Sequence, residues 1–326
     1  MYMKANKILQ KPVVKPMMAL LLMCLAMTLL SDNFATSDNF FNVLRQTSVN
    51  LCISVGMTLV ILTGGIDLSV GSVLALSGAV AAGLAHQGFD IASADIHVSI
   101  TFWGCCLAAI LVGAVMGGMN GLMVTRFRVP PFVATLGVMT IARGLTMLYT
   151  RGFPITGLGG GFEFIGTGWL LGIPMPVWIA VAIIAVFAFC MKKTRTGRYI
   201  YAIGGNERAA MFSGIRVNRV LLLVYILAGI LSAVAGILVT SRLDSAQPNA
   251  GMGYELDAIA AVVIGGASLS GGRGSILGTV VGALIIGVLN NGLVLLDVSP
   301  FWQQVIKGFV ILLSVILDRY STKSKL

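Results

Sequence analysis

The sequence predicts an all-α, polytopic membrane helix bundle of about ten transmembrane spans with both termini cytosolic. Three observations point there. Of the residues, 57% are hydrophobic and only 10% are charged, where a soluble domain is about 25% charged. Mean hydropathy is +0.94. The basic residues segregate to one side of the apolar runs, as the positive-inside rule demands. A chain of 326 residues holds on the order of ten helices of roughly 20 residues each, and forty glycines suit close helix contact in lipid. The net charge of +10 would fit nucleic acid, but its distribution fits membrane topology instead, so the expected environment is the lipid bilayer, with no nucleic-acid partner. The five cysteines (Cys24, Cys52, Cys105, Cys106 and Cys190) lie in apolar stretches without metal spacing and read as small apolar residues.

The expected spans are 17–31, 48–64, 67–85, 98–124, 131–150, 175–191, 219–241, 257–272, 275–296 and 302–318, the eighth being short and rich in Gly and Ser. The first, preceded by four lysines, reads as an uncleaved signal anchor, because no small-x-small cleavage site directly follows it. With the N-terminus inside, Lys4, Lys7, Lys11, Lys15, Arg126, Arg128, seven basic residues of a central loop, Arg273, Arg319, Lys323 and Lys325 are cytosolic, seventeen in all. Only Arg45, Arg151 and Arg242 fall outside, while Arg143 and Lys307 fall within spans. Trp103, Trp178 and Trp302 each open a span at the outer interface and Trp169 lies in an outer loop, the level that an indole favours.

The central loop, 192–218 with Arg219 at its end, is the longest polar interruption with clustered basic charge. Gly204, Gly205, Asn206 and Glu207 lead into a short run, Arg208 to Phe212, that closes at Ser213 and Gly214. The two glycines read as a sharp turn into a helix of one to two turns, Asn206 or Glu207 as its N-terminal acceptor, and Gly214 as its exit. Ala209 and Ala210 would then present little bulk to a soluble partner that pushes on the loop.

Elsewhere, polar residues in apolar surroundings are the candidates. Asp67 sits between two apolar runs, where a carboxylate is costly. It reads either as a hydrogen-bonding residue of a pathway or gate, or as the cap of a helix beginning at Leu68 with Ser69 as partner. Arg143 reaches a polar ligand or a buried acid, or snorkels outward, and Lys307 reads as a snorkelling residue. Gln247, Asn249 and Glu255 cluster with Asp257 at the outer mouth, where the two acids face a docked partner or cap the eighth span; nothing near them in sequence completes an acid/base site. His86 and His97 flank Asp90 and Asp95 in an outer loop that reads as solvated, so neither a metal nor a cofactor is expected. Two echoes, Gly64 onward with Gly265 onward and Asn120 onward with Asn291 onward, imply different repeat symmetries and together define none. No G-x-x-x-x-G-K-[ST] occurs, since no glycine is followed by lysine. The chain therefore has no phosphate-cradling P-loop, and energy must come from a partner subunit or an ion gradient.

GMTLVILTGGIDLSVGS (Gly56 to Ser72), RTGRYIYAIGGNERAAMFSGI (Arg195 to Ile215), GYELDAIAAVVIGGASLSGGRGS (Gly253 to Ser275) and NNGLVLL (Asn290 to Leu296) together resemble the membrane permease of ribose-type sugar ABC importers. The family includes ribose, allose, xylose and galactose systems, and the likeness runs in order from about residue 40 to 318. It implies a single permease domain, 1–326, in the bacterial inner membrane. The domain would pair with a second copy and form the translocation pathway for a monosaccharide. It also implies a cytosolic ATPase on the 192–218 loop and a periplasmic sugar-binding protein at the outer mouth. On this expectation the pathway candidates are Asp67, Ser69, Asn120, Arg143 and Asn291, and the chain itself is not an enzyme. The alternative is an ion-coupled secondary sugar transporter or facilitator, for which Asp67 is the one plausible mid-span carboxylate.

Overall fold

A computed structural model describes residues 13–91, 96–98 and 100–323. Lys4, Lys7, Lys11, Asp95 and Lys325 lie outside the described residues. The described residues are mostly helical, with three two-stranded antiparallel ribbons of two or three residues per strand. In order the helices are α1 (Val14–Leu30), α2 (Ser37–Leu62), α3 (Val70–Gln87), α4 (Phe102–Thr125), α5 (Pro131–Thr150), α6 (Gly160–Thr167), α7 (Met175–Lys193), α8 (Arg195–Gly205), α9 (Glu207–Phe212), α10 (Val217–Leu243), α11 (Tyr254–Ile264), α12 (Ile276–Leu295) and α13 (Pro300–Lys323).

Many helix starts follow from side-chain acceptors placed just before the first turn. Thr36, Thr101, Thr194, Asn206 and Ser275 accept from the amides of Asn39, Gly104, Gly197, Ala209 and Gly278, which satisfies orphan donors of α2, α4, α8, α9 and α12. Pro131 opens α5, where its missing N–H costs nothing.

Among the described residues, seven helices (α2, α3, α4, α5, α7, α10 and α12) are long and apolar enough to cross a membrane. α1 and the Pro300–Leu313 part of α13 are shorter apolar helices. The eighth expected span is the clear departure. α11 has 11 residues, about 16 Å of rise, roughly half of a bilayer core. Its last hydrogen bonds come from the amides of Gly265, Gly266 and Ala267; φ is +90° at Gly266, and positive φ at Gly271 and Gly272 keeps the following segment out of helix. The segment 265–275 is therefore a loop, despite an apolar composition that carried the expected span to 272.

The chain forms two compact units. The first comprises Met1–Gly64, Val181–Ile215 and Leu256–Leu326; the second comprises Gly65–Ala180 and Arg216–Glu255. In the first, α12 packs on α2 and α1, and its glycines set the approach. A side chain at Gly278 would overlap the Gly265 carbonyl just after α11, one at Gly282 the Ala261 carbonyl within it, one at Gly287 would overlap the Thr47 hydroxyl on α2, and one at Gly292 would meet Met27 on α1. Thr58 and Thr279 share a buried hydroxyl–hydroxyl bond of 2.7 Å between α2 and α12. In the second unit, α10 packs on α4 and α3. Gly113, Gly117 and Gly121 form a small-residue face on α4 against Gly229, Tyr225 and Leu222 of α10, so backbones touch where lipid gives helices no hydrophobic reason to associate.

Candidate functional site

The central loop folds as two helices, not one. α8 buries Gly197, Ile200 and Ile203, a spacing of three residues that places them on one face, and exposes Arg195, Arg198 and Tyr199. Gly204 and Gly205 are its last residues and not the expected turn. The change of direction falls on Asn206, which is extended at φ −162° and ψ 105°, and its side chain accepts from Ala209 N at 2.9 Å. Gly214 exits at φ +82°, a conformation that glycine adopts without penalty. Ser213, expected at this exit, returns its hydroxyl to the Ala209 carbonyl at 2.9 Å.

Gly204 serves close approach. A Cβ there would overlap the Leu62 carbonyl at the end of α2 and the Gly272 amide in the 265–275 loop, two groups that bond each other at 2.9 Å. Tyr201 pins the same helix to that loop by donating its hydroxyl to the Gly274 carbonyl at 2.9 Å. Burial pushes its phenol above the usual range, so the group donates as a neutral hydroxyl. On α9, Ala210 is buried, which corrects its expected place on a docking face, while Ala209 and Glu207 are exposed. Sequence reasoning missed two exposed apolar side chains: Met211 is 57% and Phe212 84% exposed. Two large apolar side chains in sequence on a polar loop were the available signal.

In the second unit, Asp67, Ser69 and Asn120 come together. Asp67 Oδ1 accepts from the Ser69 amide at 2.9 Å and the Ser69 hydroxyl at 2.6 Å, and Asn120 donates to it at 3.4 Å and to Ser69 Oγ at 2.8 Å. All three are buried. The helix begins at Val70 with Ser69 as its N-cap and no side-chain cap, so Asp67 shapes the turn before the helix and does not cap one beginning at Leu68. Arg143, the fourth candidate, donates through Nη1 to the carbonyls of Pro248 at 2.7 Å and Ala250 at 3.0 Å. It braces the segment before α11 and neither bonds Asp67 nor snorkels freely.

Asn291, the fifth candidate, belongs to the first unit, where it exchanges two bonds with Asn39 at 3.0 and 2.8 Å. Lys307 is not the expected snorkelling residue. Its ammonium pairs with Asp257 Oδ2 at 3.0 Å, and Asn290 donates to the same oxygen at 3.3 Å. Asp257 is buried in this pair and so is not exposed to face a docked partner. Of the partner-facing candidates, Gln247 and Asn249 are exposed and Glu255 is half-buried. His97 and Asp90 face each other in backbone register across a ribbon, and no group of three metal-binding side chains occurs among the described residues. A cavity of about 660 Å³ between α1, α2 and α12, walled by Leu20, Cys24, Phe40 and Leu284, is mostly apolar and suits acyl chains better than a polar solute.

Comparison with known proteins identifies the family. Residues 39–315 match the family described as branched-chain amino acid transport system / permease component. The chain is 52% identical over 310 residues to the ribose import permease protein RbsC of Bacillus subtilis, covering 93% of this chain and 92% of that one. It is 49% identical over 312 residues to RbsC of Haemophilus influenzae, covering 94% and 93%. To the D-allose transport system permease protein AlsC of Escherichia coli it is 39% identical over 292 residues, covering 90% and 86%. No solved structure matches. The chain belongs to this family of transport-system permease components.

Proposed function

We propose that the chain is the membrane-spanning permease subunit of an ABC importer for a monosaccharide of the ribose or allose kind, and that it forms the translocation pathway while a separate ATPase supplies the energy. The observation that carries the reading is about half identity to ribose import permeases over more than nine-tenths of both chains. The chain is one multi-pass permease domain of the bacterial inner membrane, with ten membrane-embedded segments, α11 re-entering only part of the way, and both termini cytosolic. The seventeen-to-three division of basic residues supports that orientation. A second copy completes the pathway.

The ATPase binds the 192–218 loop, with Met211 and Phe212 as the apolar contact, and closes on ATP. Because Gly204 is seated against Leu62 and Gly272, displacement of α8 is delivered to the end of α2 and to the loop after α11. The binding protein delivers sugar at the face that carries Gln247, Asn249 and Glu255, and its docking favours the outward-open state. Asp67, Ser69 and Asn120 support the pathway by fixing the turn that aims α3.

The test is uptake by proteoliposomes that hold the permease with its cognate ATPase and binding protein. Labelled D-ribose or D-allose should accumulate only with ATP, and L-leucine should not. Uptake driven by an ion gradient without ATP would overturn the reading in favour of a secondary transporter.

A further inference from the structure

α2 is the least apolar of the seven membrane-length helices and also the most deeply buried of them. The two facts share one cause, a stripe of polar residues at Thr47, Asn50, Ser54 and Thr58. At about 100° per residue these positions fall within an arc of about 80° on one face. All four are more than nine-tenths buried. Thr58 is satisfied by the Ser54 carbonyl and by Thr279. Thr47 Oγ1, Asn50 Oδ1 and Ser54 Oγ have no hydrogen-bond partner.

This is not the ordinary state of hydroxyls on the helix. Ser48 returns its hydroxyl to the Leu44 carbonyl at 2.7 Å, and Thr58 does the same to Ser54 at 2.6 Å, the usual refuge of Ser and Thr in an apolar helix. Thr47 and Ser54 do not take it. In the same unit the amides of Asn39 and Asn291 pair with each other, and Asn290 donates to Asp257 although its own oxygen is unpaired. Buried polar groups left unsatisfied are rare and destabilising, so three in one stripe point to a partner present in another state of the protein.

We infer that Thr47, Asn50 and Ser54 line the permeation pathway and bind the hydroxyl groups of a neutral polyhydroxy solute when the pathway opens. The stripe offers two hydroxyls and an amide, each able to donate and accept, and no charge. That suits a sugar and gives a zwitterionic amino acid no counter-charge. The inference rests on the import function proposed above and assigns the residues that meet the cargo.

Labelling tests it in the assembled complex. Two single-cysteine proteins are compared, one carrying Ser54→Cys with the native cysteines replaced, the other retaining Cys52 alone. Cys52 is fully buried and lies about 160° around α2 from Ser54. A small methanethiosulfonate reagent should modify Ser54→Cys at least tenfold faster during ATP turnover than at rest, and Cys52 should stay unmodified. In parallel, Asn50→Leu should lower D-ribose uptake at least tenfold while the complex retains its ATPase subunit. Equal labelling of both cysteines, or of neither, with wild-type uptake by Asn50→Leu, would overturn the inference. A wild-type complex that imports no sugar would instead sink the proposed function. Labelling, which needs ATP and no identified sugar, would still decide whether the stripe faces a pathway.

Discussion

Gly204 and Gly205 are neighbours in sequence, yet their substitution by alanine should have opposite effects. Nothing lies within 4 Å of a Cβ built at Gly205, so Gly205→Ala should gain helix propensity, about 0.5–1 kcal/mol near the end of α8. At Gly204 the same gain meets two obstacles. The new methyl overlaps the Leu62 carbonyl and the Gly272 amide, and overpacking of a tight contact costs about 1–3 kcal/mol. Relief by separation also breaks the bond between those two groups, a further 0.5–1.5 kcal/mol or about that. The net expectation is a loss of about 1–3 kcal/mol for Gly204→Ala, and a difference between the variants of about 2–4 kcal/mol. That corresponds to melting temperatures separated by on the order of 5 °C. Thermal melting of the detergent-purified permease measures the difference, and ATP-driven uptake measures coupling, which should fall in Gly204→Ala alone. A Gly204→Ala protein that melts at or above Gly205→Ala and transports normally would refute the argument that this contact is tight and transmits force.

Lys307→Met should destabilise the permease by about 2–3 kcal/mol, because it leaves the buried Asp257 carboxylate with the Asn290 amide alone. The double variant Lys307→Met, Asp257→Leu should recover to within about 1 kcal/mol of wild type, and no recovery in its melting temperature would show that the ion pair is not the source of the loss. Asp67→Asn keeps an acceptor oxygen for Ser69 and Asn120 and should melt like wild type, whereas Asp67→Ala strands their donors and should cost about 1–3 kcal/mol. Equal melting of the Asn and Ala variants would count against the hydrogen-bonded turn.

The parts of the fold that were legible in sequence are those set by neighbours in sequence. Apolar runs located the membrane helices, Asn206 announced the start of α9, and Gly214 announced its exit. Hydropathy misjudged the segment after Ile264 because it measures solubility in lipid and not helical hydrogen bonding. Glycine was ambiguous for a related reason. It permits a turn and it permits contact, and the choice at Gly204 depends on Leu62 and Gly272, which only the tertiary fold brings near. Lys307 was misread as snorkelling because its partner lies 50 residues away. The candidate pathway set was partly visible, since Asp67, Ser69 and Asn120 do meet. The 3–4 spacing of Thr47, Asn50, Ser54 and Thr58 was present in the sequence, but only burial and the absence of partners gave it meaning.

The coupling contact and the polar stripe involve the same helix. Gly204 on α8 abuts Leu62, the last residue of α2, and Ser54, Asn50 and Thr47 lie about two to four turns further along it. α2 is 26 residues long, about 39 Å, and it is held to α12 at two levels, by the Thr58–Thr279 bond and by the close seat of Thr47 on Gly287. A displacement at its Leu62 end therefore acts on the α2–α12 contact against which the stripe lies, and the groups along the stripe change surroundings together. This links two otherwise independent experiments. Placed in the Ser54→Cys background, Gly204→Ala should abolish the increase in labelling on ATP turnover, and Gly205→Ala should preserve it. Retention of the ATPase subunit in both proteins separates lost transmission from lost docking. If turnover-dependent labelling persists with Gly204→Ala, the stripe opens by a route that does not pass through the end of α2.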